Sequence, residues 1–353
     1  MESIKKEQYM ECYPKLIPTP TIENMEAKEY KIEKGPEVNI CIKKPINYSD
    51  ASSAIMQENS STKNSGESHP EKENPENLMP IYYDLLRQEK EKLKHFPVDY
   101  NFMSKQKAID KIRRMFYINW IMEVHCKLGF SDESLYKTIS IIDRYSSIKS
   151  INLKEYPCLF ITAFMIACRH EEIKMPTVEY LLFLTCNYYS KEDVLNMEKD
   201  ILLTLPYNLL SPSPIKFYEY LSLILGLDKK AYFLGKFLME SFLYDLNYIK
   251  FRPSIISCTC AYIAMKIFKK DNYKESYKKQ WHKIEGEEGY EIEIGCNIKD
   301  CAKKICKFLK VILKGKSLYC YKKYSTDNCF YASNIIVNVY IKKKNNPIDD
   351  AHL

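Results

Sequence analysis

From Lys107 to Leu128 the chain reads as one helix that is apolar on most of its sides. Ile109, Ile112, Met115, Phe116, Ile118, Trp120, Ile121, Val124 and Leu128 leave it no broad polar face. Such a helix is not stable alone in water, and the pattern predicts a place in the middle of a helical bundle. Gly129 is suited to end it, because glycine accepts the left-handed backbone of a C-cap, and Ser131 with Ser134 offers the next helix an N-cap.

Further helical spacing follows at short intervals, predicting helices over about 132–147, 153–171, 177–186 and 190–205. Thr177 and the run Ser190, Lys191, Glu192, Asp193 supply starts, since a hydroxyl caps the first turn and acids favour it. Ser211, Pro212, Ser213 and Pro214 break the pattern. A second series then predicts helices at about 214–226, 229–246, 253–270, 274–284 and 295–314. Two five-helix series with short loops make an all-α chain of two tandem bundles, and their similar helix number and length argue for an internal duplication.

The ends read differently. Residues 1–80 hold eight spread prolines and no sustained period, and about ten Lys stand against about fourteen acids. The run from Ser49 to Asn77 has too few large apolar groups to offset chain entropy, so a disordered tail is expected. Order is expected from near Met79, where Ile81, Tyr82, Leu85, Leu86 and Leu93 fall at helical spacing. The last residues, 336–353, read as frayed.

Composition excludes several classes. Low Gly and Pro, 9 and 16 in 353 residues, disfavour a strand-rich fold. No run of eighteen apolar residues exists, so no membrane span is expected, and the first residues lack the apolar stretch of a signal peptide. Thirteen scattered Cys point to buried thiols in a reduced compartment. Cys258 and Cys260 are too close for a zinc pair, and Cys301 with Cys306 lacks a second pair, so no metal and no cofactor are expected. No glycine-rich phosphate loop, nucleophile elbow or zinc-protease helix is present, which argues against an enzyme. The net charge of +7 is unevenly spread: the tail is mildly acidic and the folded body carries the basic excess, which would suit an acidic protein face or nucleic acid as well as plain solvation.

Charged residues recur inside apolar helical sequence: Arg114, Asp143, Arg169 with His170, Glu171 and Glu172, and Glu198. Ions are costly to bury unless paired, so these groups predict internal ion pairs or a recognition surface. Their order and spacing resemble the cyclin box, the helical repeat of the regulatory subunits of cyclin-dependent kinases. In the second half Phe251, Arg252, Pro253 and Ser254, then Ala261 to Ala264, Trp281 and the stretch from Lys323 to Ser333 resemble the C-terminal repeat of A- and B-type cyclins. The chain as a whole is most similar to G2/mitotic B-type cyclins. The resemblance divides it into a regulatory tail (1–80), an N-terminal helix with the N-terminal box (81–210), the C-terminal box (211–335) and the frayed end.

The resemblance implies that Arg114 and Asp143 form a structural ion pair. It implies that Arg169 and Glu198 match the Lys and Glu that cyclins present to the kinase's regulatory helix, with Arg here in place of Lys. A planar fork donor then replaces a flexible point charge. Taken alone, the same two residues could equally be an internal salt bridge. Around them the implied kinase-binding surface takes in His170, Glu172 and Ile173, Leu202 and Leu209, and Tyr82 and Leu85 of the N-terminal helix. His170 stands where the family has an aromatic residue. Arg113, Arg114, Tyr117, Trp120 and Glu123 correspond to the family's docking patch for Arg-x-Leu substrate motifs, with Arg113 and Tyr117 in place of aliphatic groups. The groove should therefore be more polar or reshaped.

Lys72, Glu73 and Asn74 form a KEN tripeptide, a degron of mitotic cyclins read by the anaphase-promoting ubiquitin ligase. No Arg-x-x-Leu destruction box accompanies it, since residues 1–80 contain no Arg. The expected protein is thus a cyclin that binds and activates a cyclin-dependent kinase. It is a regulatory subunit and not itself an enzyme, acting in nucleus and cytoplasm, with no membrane and no direct nucleic-acid contact. Its rivals are a transcription-type cyclin or cyclin-fold DNA-binding factor, and a scaffold that keeps the fold without activating a kinase.

Overall fold

The computed structural model describes residues 75–93, 101–173, 175–209, 212–268, 291–314 and 318–337. The KEN tripeptide, the expected helix at 274–284 with Trp281, and the chain end lie outside the described residues. Among those described, the secondary structure is helical throughout: α1 (Pro75–Leu93), α2 (Phe102–Lys105), α3 (Lys111–Leu128), α4 (Asp132–Ile148), α5 (Tyr156–Glu171), α6 (Val178–Leu184), α7 (Lys191–Thr204), α8 (Pro214–Ile224), α9 (Lys229–Phe242), α10 (Pro253–Phe268), α11 (Glu291–Lys314) and α12 (Tyr319–Lys323). Short 3₁₀ turns occur at Leu246–Lys250 and Asp327–Cys329.

Two compact units are present. The first contains α2 and α4 to α7, from the segments 102–110 and 130–209. Its centre is α5, in which every residue from Tyr156 to Cys168 is buried, with Phe160, Ile161, Ala163 and Phe164 fully so. α4 and α7 pack on α5, and α6 closes against α5 and α7. The helix ends follow local chemistry. Ser190 and Asp193 make a reciprocal capping box at α7. Thr177 Oγ accepts the Tyr180 amide at 3.2 Å to start α6. Gly129 takes a φ of 67° at the end of α3, as expected of a C-cap glycine. At the other end of α4 the Gln106 side chain donates to the carbonyls of Ser146 and Lys149, both at 2.7 Å, and accepts the Ile151 amide at 3.0 Å. These are backbone groups a helix end leaves without partners, and here they are buried or nearly so.

The second unit contains α1, α3 and α8 to α12. α10 is its central helix, buried from Ser254 to Ala261, with α8, α9 and α11 around it and α1 laid on α8. Glu89 of α1 is buried and accepts the amide of Ser254 at 2.9 Å and its hydroxyl at 2.5 Å, which places a carboxylate at the start of α10. Its surroundings raise the carboxyl pKa from 4.5 to about 6, because desolvation outweighs the Ser254 hydrogen bonds and the nearby Arg252 charge. On the far side of the unit Glu240 of α9 accepts Lys323 Nζ and Tyr324 Oη, each at 2.7 Å, and so holds the segment that follows α11.

Some expectations change. The helix expected from Lys107 begins at Lys111, because the preceding residues are used otherwise: α2 and the turn after it place Gln106 and Ile109 in the first unit. α3 is not apolar all round in its setting, since Ile112 is 57% exposed, and it packs within the second unit against α12. The central helices are instead α5 and α10. α1 also starts ahead of Met79, at Pro75, a residue suited to a first turn because its missing amide would be unpaired there anyway.

Candidate functional site

The C-terminal turn of α5 and the exposed side of α7 build the site in the first unit. Basic residues belong at a helix C-terminus, where they meet the negative end of the dipole, and Arg169 and His170 stand there. Arg169 is ion-paired with Glu198 of α7; the Arg side chain is 39% exposed and the Glu 15%. Leu195 and Leu202 lie three residues before and four after Glu198, on the same face of α7. Leu195 is exposed and Leu202 half-buried. Ile173 is fully exposed just beyond α5, and Met175, Leu203 and Tyr207 are exposed nearby in sequence. With Leu195 and Leu202 flanking Glu198 on one face of α7, this face carries a solvent-reaching ion pair beside apolar groups.

A second charged group supports the same helix end. Lys137 of α4 is 7% exposed and pairs with Glu171, and its Nζ lies 2.8 Å from His170 Nδ1. Burial works against the Glu171 carboxylate, but Lys137 and then His170 outweigh it and hold its pKa below the ordinary range. Glu172 reaches across to the start of α4: its Oε1 accepts the amide and hydroxyl of Ser131 at 2.8 and 2.7 Å. Ser131, expected to cap α4 through its own side chain, makes no such bond and ties the start of α4 to the end of α5 instead. On the other side of α4, Tyr145 Oη donates to Asp200 at 2.5 Å and Lys149 pairs with the same carboxylate. Arg144 donates to the Asn208 carbonyl at 2.7 Å, and burial lowers its pKa to about 10. Leu209, half-buried, follows directly.

The structure thus brings Arg169, His170, Glu172, Ile173, Glu198 and Leu202 onto neighbouring parts of one unit. Sequence reasoning noted Glu171 only as one of the charged insertions and missed Lys137, Leu195 and Tyr207. The signal for Leu195 was available, because an apolar residue three before Glu198 departs from the face set by Val194 and Ile201. Lys137 carried no such signal, as its partners lie on another helix.

Other expected site residues sit in the second unit. Tyr82 is fully buried, its hydroxyl 3.4 Å from Cys258 Sγ and its ring edge-on to Phe217 at 6.0 Å. It is therefore an interior residue, not a surface one, while Leu85 is half-buried. On α3, Arg114 and Tyr117 are also interior, with 1% and 5% exposed. Arg114 donates to the Leu243 carbonyl at 3.0 Å, at the C-cap of α9. Tyr117 stands edge-on to Phe116 and Trp120, and burial pushes its phenol up to about 12. The expectation that Tyr117 makes a groove more polar is corrected: burying the ring removes the phenol from the surface. Arg113, Trp120 and Glu123 are half-buried, and Glu123 pairs with Lys127 at 2.9 Å. Asp143 is 4% exposed in the first unit, so each member of the expected Arg114–Asp143 pair is buried in its own unit.

The described cysteines are all free, and Cys158, Cys168, Cys258, Cys260, Cys301 and Cys320 are buried, in keeping with structural thiols. Among the described residues no group of His, Cys, Asp or Glu is arranged to hold a metal, and no helix is long and apolar enough to cross a membrane.

Residues 81–210 match the family model "Cyclin, N-terminal domain" and residues 212–337 match "Cyclin, C-terminal domain". The chain belongs to the cyclin family. Similar proteins include Cyclin-B2-1 of Arabidopsis thaliana, 29% identical over 67% of this chain and 52% of the relative. Cyclin-B2-2 of the same plant is 34% identical over 52% and 42%. The G2/mitotic-specific cyclin-B2 of Oryzias luzonensis is 29% identical over 46% and 42%. The chain spans about half the length of the curated relatives it matches. Among solved structures a viral cyclin from herpesvirus saimiri shares the fold, with a TM-score of 0.51 and 16% identity over 64% of this chain and 97% of the viral one. The two matched domains cover the two helix series read from the sequence, and the B2-type relatives agree with the resemblance to B-type cyclins.

Proposed function

We propose that this cyclin is the regulatory subunit of a cyclin-dependent protein kinase, which it binds and activates at the G2/mitotic transition. The observation that carries the reading is the solvent-reaching Arg169–Glu198 pair with Leu195, Leu202 and Ile173 beside it. An ion pair inside an apolar field gains strength when a partner excludes water from it, which is how a few residues come to dominate an interface. His170, Glu172 and Leu209 position or extend that surface, and Tyr82, an interior residue, acts only by holding α1 in place within its own unit.

Activation is then a population shift. A surface that binds the active arrangement of the kinase's regulatory helix more tightly than the inactive one favours the active form by that difference in affinity. ATP, magnesium and the catalytic groups belong to the kinase. Arg113, Trp120 and Glu123 remain as the accessible part of a substrate-docking patch. Lys72, Glu73 and Asn74 would time destruction through the anaphase-promoting ubiquitin ligase, in a protein moving between nucleus and cytoplasm.

The test is a pull-down of cyclin-dependent kinases, scored for histone phosphorylation, with the wild type beside an Arg169→Ala, Glu198→Ala variant. Stimulated kinase activity that the variant loses supports the proposal. Binding without stimulation makes the protein a scaffold, and absence of any bound kinase refutes the reading.

A further inference from the structure

The outer face of α11 carries a feature that kinase binding does not use. Ile298, Cys301, Ile305, Leu309 and Ile312 are buried and turn one side of the helix to its unit. On the opposite side Lys299, Lys303, Lys307 and Lys310 are exposed. Spacings of four, four and three residues stack them in a single row. At 1.5 Å per residue the row has about 6 Å between neighbours and runs about 16 Å. Asp300 is the one acid among the described side chains of α11, and among the described residues none of the four lysines forms an ion pair.

A solvated helix face does not require this arrangement. Like charges three and four residues apart repel and cost a helix about 0.2–0.5 kcal/mol each, whereas interspersed acids would stabilise it. The dipole accounts for a cation near the C-terminus, but Lys299 and Lys303 lie well away from the last turn. A row that destabilises its own helix is explained if an extended anion neutralises it.

We propose that this lysine row binds the phosphate backbone of a nucleic acid, independently of the kinase-binding surface. Each strand of a duplex presents one phosphate per about 3.4 Å of axis, so a row about 16 Å long spans four to five phosphates. Lysine is suited to the task as a flexible point charge that does not demand bidentate geometry. An acidic protein fits less well, because protein interfaces draw their affinity from buried apolar or aromatic groups. Among the described side chains of this face only Val311 is large, apolar and exposed. Such binding reads no sequence, since backbone contacts carry none. The expectation of no nucleic-acid contact rests on the resemblance of Asp143, Arg169 and Glu198 to a kinase-binding cyclin and not on the charge of this helix face.

The test is fluorescence anisotropy of a labelled mixed-sequence 20-base-pair DNA duplex with the full chain, titrated at several salt concentrations. Four neutralised phosphates predict a slope of log K against log salt of about −3.6, with a dissociation constant of about 10⁻⁶ to 10⁻⁴ M near physiological salt. The variant Lys299→Gln, Lys303→Gln, Lys307→Gln, Lys310→Gln should keep its melting temperature and lose at least tenfold in affinity, with a nearly flat salt response. A control removes the same charge from other exposed positions, Lys191→Gln, Lys199→Gln, Lys229→Gln, Lys230→Gln, and should bind as the wild type does. No binding at 50 mM salt overturns the proposal, and so does equal loss in both variants, which would reduce the effect to net charge. A polyglutamate peptide that binds the row as tightly as the duplex also overturns it, by making the face a site for acidic protein.

Discussion

Glu198 and Glu240 each hold a cation supplied by another segment, but one does so beside water and the other in the dark. Glu198 pairs with an Arg169 that is 39% exposed, on the surface of the first unit. Glu240, 1% exposed, takes Lys323 and the Tyr324 hydroxyl on a single oxygen inside the second. In water an ion pair barely exceeds the solvation it replaces, so the first pair is available to a partner at little cost to the fold. In the interior the same chemistry is a structural commitment, because losing either side leaves a charge or a hydroxyl without its partner. Similarity of residue type therefore says little about role. Solvent access separates the pair that a partner can reach from the one sealed inside the fold.

The sharpest way to break this contrast is Glu240→Ala. It strands Lys323 and the Tyr324 hydroxyl, and the loss of stability should be about 3 kcal/mol, read by urea denaturation. Loss of less than about 1 kcal/mol, the range of a surface pair, would show that burial is not what distinguishes the two glutamates.

Second in size is Gly235→Ala on the same helix. An added Cβ would overlap Tyr218 Oη and Cζ and stand 2.8 Å from Cε2, so the ring must move. That hydroxyl donates to the Tyr232 carbonyl at 3.0 Å and the side chain is fully buried, so there is little room to yield. Overpacking of this kind costs about 2 kcal/mol, and Tyr218→Leu in the same chain should return part of it if the ring is the obstacle. Equal stability of wild type and Gly235→Ala would mean that α8 and α9 are less tightly packed than their geometry requires.

These two sites also show what could be read from the chain alone. Helices α4 to α10 were legible within a few residues because their limits are local: a capping box at Ser190 and Asp193, Thr177 before α6, Gly129 after α3, a Ser-Pro break before α8. The order of charged insertions marked Arg169 and Glu198, which the structure joins as an ion pair, the internal salt bridge that the two residues also allowed. What could not be read depends on partners far apart in sequence. Nothing near Glu172 signals that it will hold Ser131, nothing near Tyr82 that Phe217 and Cys258 will enclose it, and nothing in α3 that it will pack within the second unit. Periodicity reports that a face is apolar. It does not report which neighbour covers that face, and at Tyr82 and Tyr117 this decided between surface and interior.

Glu89 supplies an intermediate case, buried like Glu240 but bound only to a neutral serine. Its folded pKa, about 6, lies above the ordinary 4.5 because burial disfavours the charge. A group raised on folding contributes its stability fully below its unfolded pKa and loses it as pH rises through the folded value. The carboxyl should therefore favour the fold near pH 4 and lose about 2 kcal/mol of that contribution by pH 7, since each tenfold change in proton affinity is worth about 1.4 kcal/mol. Glu89→Gln should remove the dependence between pH 4.5 and 6 while keeping both contacts, since the Ser254 hydroxyl can accept as well as donate. Identical pH profiles for variant and wild type would place the titration elsewhere.

The smallest effect on stability is expected where the effect on function is largest. Removing Glu198 alone frees an Arg169 that already reaches solvent, so Glu198→Ala should cost less than about 1 kcal/mol, and adding Arg169→Ala should cost little more. Both variants should nevertheless lose stimulation of the bound kinase, because the pair matters only where the partner excludes water. Arg169→Lys separates charge from shape: a point charge at that position should keep stimulation if the ammonium or guanidinium charge suffices, and reduce it if the planar fork is needed. A drop of several kcal/mol in Glu198→Ala would move this pair into the same class as Glu240 and Lys323, and the contrast between the two units would fail. Unchanged stability together with unchanged stimulation would leave the ion pair as surface decoration and send the search for the contact to Leu195, Leu202 and Ile173.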